Sequence, residues 1–193
     1  MKIFGDSTSG NCLKVRYTAD YLGLAYEWVE VSAQAGETRT ESFLRLNPVG
    51  QVPVADLGGG RRLAQSNAIV RYLARDSALC PRDDFEAARV DEWLFWEQYS
   101  HEPYVAVCRA QMVYEGRAAA EREGWRVERA EAALDHLERA LSGRDWLVGQ
   151  TMSIADIALL AYTRLAPEGG FELDARPGIG AWIERGEVTL GLT

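Results

Sequence analysis

Short strand patterns alternate with helical patterns over the first third of the chain. Apolar and polar residues alternate over 26–31, whereas residues 12–22 place apolar side chains at helical spacing. The predicted elements, in chain order, are a strand at 2–4, a helix at 12–22, a strand at 26–31, a short helix at 40–46, a hairpin at 52–57 and 61–63 with a Gly58-Gly59-Gly60 turn, and a helix at 66–74. The order β-α-β-α-β-β-α predicts a small α/β domain over residues 1–76.

The pattern changes to long helices after residue 80. We therefore assign a linker to residues 77–83 and an all-helical domain to residues 84–193. The first helical run covers 84–114, and we expect a kink at Glu102-Pro103 because proline removes a backbone N–H. The fold class predicted is thus an α/β domain followed by an all-α domain.

Two further signals in the second half concern folding rather than chemistry. An apolar stripe at spacings of three and four residues ends before Gly143, a typical helix C-cap. Its members are Ala130, Ala133, Leu134, Leu137, Ala140 and Leu141. Ser153-Ile154-Ala155-Asp156 is a capping box, with Met152 and Ile157 placed as a hydrophobic staple. The helix that follows is apolar nearly all round and is expected to be buried.

Composition narrows the class of protein. The chain has 193 residues, of which 47% are apolar, and a formal net charge of −8, which argues against a nucleic-acid partner. Three cysteines are too few for a disulfide framework, and two histidines beside them make a zinc cluster improbable. The longest apolar stretch, residues 154–162, is too short to span a membrane and no secretory signal is visible. A cytoplasmic location is expected, without membrane attachment.

The loop from Asn47 to Pro53 has the features of a peptide-binding edge. Pro53 opens an apolar strand, a position where a cis peptide bond is tolerated. A cis bond would turn the N–H and C=O of Val52 outward, where they could pair with an extended peptide. The alternative interpretation is a plain turn before a strand.

Gln65 and Ser66 extend this binding hypothesis. Ser66 reads as the N-cap or first-turn residue of the helix at 66–74, whose free N–H groups would suit a carboxylate. A side-chain acceptor at Gln65 could meet an ammonium. Ser66 capping only its own helix is the alternative, and it is compatible with ligand binding. Together with the loop at 47–53, these residues indicate a small peptide ligand. One of its amino acids would be recognised at both its ammonium and its carboxylate.

The chain resembles the soluble glutathione transferases over nearly its whole length. The segments that carry the resemblance are Ser9-Gly10-Asn11-Cys12, Asn47 to Pro53, Gln65-Ser66-Asn67-Ala68-Ile69 and Ser153-Ile154-Ala155-Asp156. The resemblance implies a thioredoxin-like N-terminal domain, a C-terminal helical bundle and a homodimer. It also implies glutathione as co-substrate, with no permanently bound cofactor and no metal.

The turn before the first helix carries the predicted chemistry. Ser9 stands where a thioredoxin-like C-x-x-C motif has its attacking cysteine, and the resemblance makes Ser9 the partner of the glutathione sulfur. A hydroxyl cannot act as the base, but it can donate a hydrogen bond that favours the thiolate. Asn11 is a second candidate donor, with a simple helix cap as the alternative. Cys12 is expected to be a buried, inert thiol, and a redox role is the alternative.

Other site residues follow from the resemblance. Arg39 would pair with the glycine carboxylate of glutathione, the alternative being an exposed arginine, and Gln51, Val52 and Pro53 would bind the peptide backbone. Gln65 stands where the family often has glutamate, so affinity could be lower or a second subunit could supply an acid. A pocket for the electrophile is expected between the domains. Its candidate residues, which could equally be core, are Tyr99, His101, Tyr104 and Arg109.

The function predicted is conjugation of glutathione to a small electrophile, a detoxification reaction. Three alternatives remain open at this point. A glutathione-dependent peroxidase or disulfide reductase suits the thioredoxin-like half, although Ser9 in place of cysteine argues against a two-cysteine cycle. A maleylacetoacetate isomerase-like enzyme would show a serine-serine-cysteine turn. A non-catalytic glutathione-binding protein would keep Gln51 and Ser66 without needing Ser9.

Overall fold

The computed structural model describes residues 1–192, and the chain divides into two compact units. Unit 1 covers Met1–Ser77 and unit 2 runs from Ala78 onward. Thr193, which the assignment of residues 84–193 to a helical domain includes, lies outside the described residues. No helix among residues 1–192 is both long and apolar enough to cross a membrane.

Unit 1 is built on a four-stranded sheet. Its elements are β1 (Lys2–Gly5), α1 (Gly10–Tyr21), β2 (Glu27–Glu30), α2 (Glu41–Leu44), β3 (Val54–Asp56), β4 (Arg62–Ala64) and α3 (Ser66–Ala74), with a 3₁₀ turn at Glu37–Arg39. The strand order is β2-β1-β3-β4; β1 and β2 are parallel, and the other neighbours are antiparallel. The β-α-β-α-β-β-α order predicted from the sequence is confirmed.

The core of unit 1 lies on one face of this sheet, where α1 and α3 pack together. Ile3 on β1 and Ala55 on β3 are fully buried, as are Val15 on α1 and Ile69 on α3. A second cluster forms around Val31, Phe43 and Val54. The parallel pairing of β1 with β2 brings the carboxyl ends of both strands to the same edge, beside the start of α1, which is where the candidate site lies.

Unit 2 consists of helices. They are α4 (Asp84–Trp96), α5 (Glu102–Val113), α6 (Gly124–Leu141), α7 (Ile154–Thr163) and α8 (Pro177–Leu190). A five-residue π-helical segment, Glu97–His101, joins α4 to α5 and ends two residues before Pro103. The helical run is thus irregular just before Pro103, whose missing N–H removes one helical hydrogen bond, and the kink at Glu102-Pro103 stays a prediction.

Helix α7 is the centre of unit 2. All ten of its residues are buried, as its continuous apolar run predicts. Ser153 is its N-cap, and the carboxylate of Asp156 accepts hydrogen bonds from the N–H and hydroxyl of Ser153 at 2.9 and 2.8 Å. Leu147 N–H and the Trp182 indole N–H donate to the other oxygen of Asp156, each at 3.0 Å. Asp156 thus ties α7 to α8 and to the preceding loop.

Candidate functional site

The turn between β1 and α1 is held by two carboxylates. Asp6 accepts the N–H and hydroxyl of Thr8 on one oxygen, at 2.9 and 2.6 Å, and the N–H of Ala33 on the other, at 3.2 Å. Glu30, the last residue of β2, accepts the N–H and hydroxyl of Ser7 at 2.7 and 3.1 Å. Four polar groups of residues 7 and 8 are therefore anchored, and the chain enters α1 in one conformation.

Glu30 was missed by the sequence analysis, although its position at the carboxyl end of a strand parallel to β1 was a usable signal. Its second oxygen accepts the indole N–H of Trp28 at 2.7 Å. Partial burial acts to raise the pKa of Glu30, but the hydrogen bonds from Ser7 and Trp28 outweigh it and lower the pKa below its ordinary 4.5. The Trp28 ring lies so close to Gly5 that a Cβ there would be 2.5 Å from it. A side chain at residue 5 would therefore displace Trp28.

Ser9 is the N-cap of α1. Its backbone is extended, with φ of −84° and ψ of 122°, and its hydroxyl makes no capping hydrogen bond to the helix. The hydroxyl hydrogen-bonds with Cys12 instead, and it does not cap the first turn, where the N–H groups and the positive end of the helix dipole favour an anion. This placement is compatible with the predicted role of Ser9 as a donor to sulfur, which stays a prediction.

Cys12 is fully buried, as expected. Its sulfur accepts the N–H of Asp6 at 3.3 Å. Burial raises the pKa of the Cys12 thiol to about 11, although hydrogen bonding to Asp6 N–H and to Ser9 acts in the opposite direction. Since the thiolate is the nucleophilic form, this thiol is protonated and unreactive near neutral pH.

Asn11 and Ser66 meet across 55 residues of sequence. The Ser66 hydroxyl donates to Asn11 Oδ1 at 2.9 Å, and the Lys14 ammonium donates to the same oxygen at 2.8 Å. Ser66 is the first residue of α3 rather than its N-cap, and its hydroxyl is bound to Asn11. The fold thus brings together one residue predicted for the sulfur and one predicted for a carboxylate.

Gln65 has an unusual backbone. Its φ of 68° makes it the one non-glycine residue with positive φ among residues 1–192. Such a conformation costs on the order of 1–3 kcal/mol and is typical of ligand-binding positions. The side chain is exposed at the start of α3, and its contact with an ammonium stays a prediction.

The loop at 47–53 is braced from inside. Asn47 is buried; its amide donates to the carbonyl of Gln51 at 2.7 Å and accepts the N–H of Val49 at 3.2 Å. The Val52–Pro53 peptide bond is cis, as expected, and β3 begins one residue after it. Pairing of the Val52 main chain with a bound peptide stays a prediction.

Arg39 lies over the same loop. Its Nη1 donates to the carbonyl of Val49 at 3.2 Å. Gly50 has φ of 68°, and a Cβ on it would approach Arg39 Nη1 to 2.7 Å. Glycine is therefore required at residue 50 both for its backbone conformation and for the position of the guanidinium.

The four candidates for the electrophile pocket do not share one environment in unit 2. His101 is fully buried with its Nε2 3.1 Å from the Thr163 hydroxyl, and Arg109 is nearly buried and paired with Glu168 at 2.7 Å. Tyr99 is 80% exposed, and the half-buried Tyr104 packs edge-on against a tryptophan ring. His101 and Arg109 are therefore engaged inside the bundle, and the two tyrosines are the accessible members of the set.

Comparison with known proteins gives a consistent assignment. A family model described as the N-terminal domain of glutathione S-transferase matches residues 8–76, and the model for the C-terminal domain matches residues 95–187. The glutathione S-transferase 3 of Zea mays is 31% identical over 95% of this chain and 87% of its own length.

Two solved bacterial structures are more similar. A glutathione S-transferase from Pseudomonas fluorescens Pf-5 is 47% identical, with a TM-score of 0.91 over 95% of this chain and 92% of that one. A second, from Xanthobacter autotrophicus Py2, is 42% identical, with a TM-score of 0.91 over 96% of this chain and 92% of that one.

Proposed function

This chain belongs to the glutathione S-transferase family and is an enzyme of that family, and we propose that it activates the glutathione thiol through Ser9 and Asn11 and conjugates it to a small electrophile. The observation that carries the proposal is the hydrogen bond between Asn11 and Ser66. It joins a predicted donor to sulfur with a predicted contact of the γ-glutamyl carboxylate, so one glutathione molecule could reach both.

The chemistry follows from the donors around the sulfur. A hydrogen bond to a charged group contributes roughly 1.5–3 kcal/mol, which lowers a thiol pKa by about one to two units. A thiol with a pKa near 8.5 in water would then be substantially ionised at neutral pH. The thiolate attacks the electrophilic carbon, a carbon–sulfur bond forms, and the leaving group departs with its electron pair, while the thiol proton has already gone to solvent.

Binding of the tripeptide is assigned to main-chain groups and to few side chains. Val52, next to Pro53, pairs with the cysteinyl unit of glutathione, and Gln51 lies beside it. The ammonium meets Gln65, the γ-glutamyl carboxylate meets the start of α3 at Ser66, and the glycine carboxylate pairs with the guanidinium of Arg39. The arrangement in unit 1 supports these roles because Arg39 and Gln51 border the same braced loop. A cytoplasmic homodimer is part of the same proposal.

Peroxide reduction and disulfide reduction use the same activated thiolate and are the competing reactions. A cycle in which the protein's own cysteine attacks a disulfide is not favoured, because the thiol of Cys12 is buried and its pKa is about 11. Turnover of a chloronitrobenzene, of a hydroperoxide and of a mixed disulfide, compared on the same enzyme, distinguishes the three.

The test compares the full chain with Ser9→Ala and Asn11→Ala. We expect each substitution to raise the apparent pKa in the pH profile of kcat/KM by about one to two units, with little change in the heat of glutathione binding. Ser42→Ala is the control, since Ser42 is an exposed serine on α2. If the pH profiles of the unmodified enzyme and the three variants coincide, neither Ser9 nor Asn11 takes part in the mechanism. The absence of binding heat at millimolar glutathione would overturn the proposed function as a whole.

A further inference from the structure

Lys14 is fully buried, with an exposed fraction of 0%. Lysine is almost never completely buried, because removal of its ammonium from water is costly unless the charge is bound. Lys14 lies in the second turn of α1, where a positive charge is also unfavourable toward the helix dipole. Both burial of the charge and its position near the start of the helix are unfavourable for the stability of α1. The ammonium is therefore a candidate for a functional role.

The ammonium is directed at Asn11. The two residues are three positions apart on α1 and therefore share one helix face, and Lys14 Nζ lies 2.8 Å from Asn11 Oδ1. Because an ammonium can only donate, the Asn11 atom that faces it must be the oxygen. The Ser66 hydroxyl occupies a second position on that oxygen at 2.9 Å. Two donors thus fix the amide, and its Nδ2 donor lies on the opposite branch.

The charges around the turn make a strong donor necessary. The carboxylates of Asp6 and Glu30 both disfavour a thiolate in this region, as their effect on Cys12 shows. A neutral amide without a bound cation would have to stabilise the thiolate against the repulsion of these two negative charges. A cation bound to the amide oxygen polarises the group and strengthens the hydrogen bond that its N–H can donate.

We propose that Lys14 is a positioning residue for thiol activation, which holds and polarises the Asn11 amide so that Nδ2 donates to the glutathione sulfur. The inference rests on the proposed function, in which Asn11 contacts that sulfur. Lys14 itself does not touch the substrate, and Ser66 completes the network by linking it to the carboxylate end of glutathione.

The experiment replaces Lys14 by methionine, which is neutral and of similar length, in the full chain. We expect the pKa of enzyme-bound glutathione, read from its ultraviolet thiolate absorbance and from the pH profile of kcat/KM, to rise by about one unit, a tenfold loss of thiolate below the pKa. KM should change little. Arg16→Met is the matched control, because it removes a cation from the exposed face of the same helix.

A double substitution tests the route through Asn11. In the Asn11→Ala background, Lys14→Met should produce no further rise in the thiol pKa. A rise as large as in the wild-type background would overturn the positioning role, as would a folded, glutathione-binding Lys14→Met enzyme with an unchanged pH profile. Both outcomes differ from failure of the proposed function, in which the unmodified enzyme itself neither binds nor turns over glutathione.

If the Lys14→Met variant does not fold, the test uses the unmodified enzyme. Nuclear magnetic resonance then follows the side-chain amide protons of Asn11. We expect one of them to shift downfield when glutathione binds and to follow the ionisation of its thiol. Amide signals that glutathione leaves unchanged would overturn the proposal.

Discussion

Gln65 keeps a strained backbone at the entrance to α3, and one substitution separates this strain from the glutathione contact that we predict for its side chain. In Gln65→Gly the φ of 68° becomes unstrained, so we expect the free energy of unfolding to rise by up to about 1 kcal/mol. Loss of the amide oxygen should raise KM for glutathione roughly ten- to a hundredfold, the value of one hydrogen bond to a charged group, with kcat almost unchanged. Chemical denaturation and steady-state kinetics measure the two effects.

Gln65→Glu is the companion variant, because it keeps the backbone cost and adds a negative charge opposite the expected ammonium. It should lower KM while leaving stability close to that of the unmodified enzyme. If Gln65→Gly leaves KM where it was, the side chain makes no contact with glutathione and only the backbone of this position matters.

At the scale of single residues, the sequence was sufficient to predict site residues that belong to a motif. It was insufficient to predict those whose role depends on burial or on contacts in the folded chain. Gln65 and Ser66 stand out beside a helix start, and their location was predicted. Lys14 and Glu30 were not singled out, since charged residues are expected at the surface. The ammonium of the buried Lys14 donates to Asn11, and Glu30 meets Ser7 across 23 residues. Such pairings require the folded chain.

The turn between β1 and α1 gives an element-scale prediction about pH. The pKa of Glu30 is lowered in the fold, so its stabilising effect is present above the unfolded-state value and is lost as pH falls through the folded-state value. Glu30→Gln should therefore be less stable than the unmodified enzyme at pH 7. We expect a difference of about 0.5–1 kcal/mol, at the low end for hydrogen bonds because solvent screens this exposed side chain.

The difference should shrink as pH falls below about 4.5, and it should vanish only below the lowered folded-state pKa, where the carboxyl group is neutral in both states. Urea denaturation between pH 3 and pH 7 measures it. Glu27→Gln, on the same strand and paired with Lys2 at the surface, is the control and should show a smaller effect. A gap between Glu30→Gln and the unmodified enzyme that is the same at every pH would contradict the role of the charge.

Elements whose ends are marked by characteristic residues were predicted well. The strands and helices of unit 1 agree with the sequence pattern because glycine, proline and alternating apolar residues mark their ends. Helix α8 was not predicted, since Pro177-Gly178 and Gly186 are poor helix formers. Packing overrides that preference: Trp182 is buried, and a Cβ on Gly186 would lie 2.8 Å from the side chain of Leu160 on α7. The glycine is there to let two helices approach closely.

For the whole molecule, the core of unit 2 is where we expect a single substitution to lower stability strongly. Asp156 accepts four hydrogen bonds in the core of unit 2, and Asp156→Ala would leave three buried N–H donors unpaired. We expect a loss of about 3 kcal/mol or more, which corresponds to a fall in Tm of roughly 6–12 °C at this chain length. Ser153→Ala should cost about 1 kcal/mol, or roughly 2–4 °C.

Differential scanning calorimetry measures both changes, and kinetics at 25 °C provide the control. The folded Ser153→Ala enzyme should keep its kcat/KM, because Ser153 serves only the start of α7. A loss of activity that accompanies the small change in Tm would show that this cap does more than stabilise the helix. Of the four predicted contacts of the second substrate, His101 and Arg109 are buried.

The position of Trp28 supplies a spectroscopic reporter. Trp28 is the single tryptophan within residues 1–77 and the other five lie in residues 78–193; its indole shares Glu30 with the turn that leads into α1. Incorporation of fluorotryptophan would therefore give six fluorine resonances, of which the one absent in Trp28→Phe belongs to this turn. Its chemical shift follows occupancy of the neighbouring site without any label on the ligand.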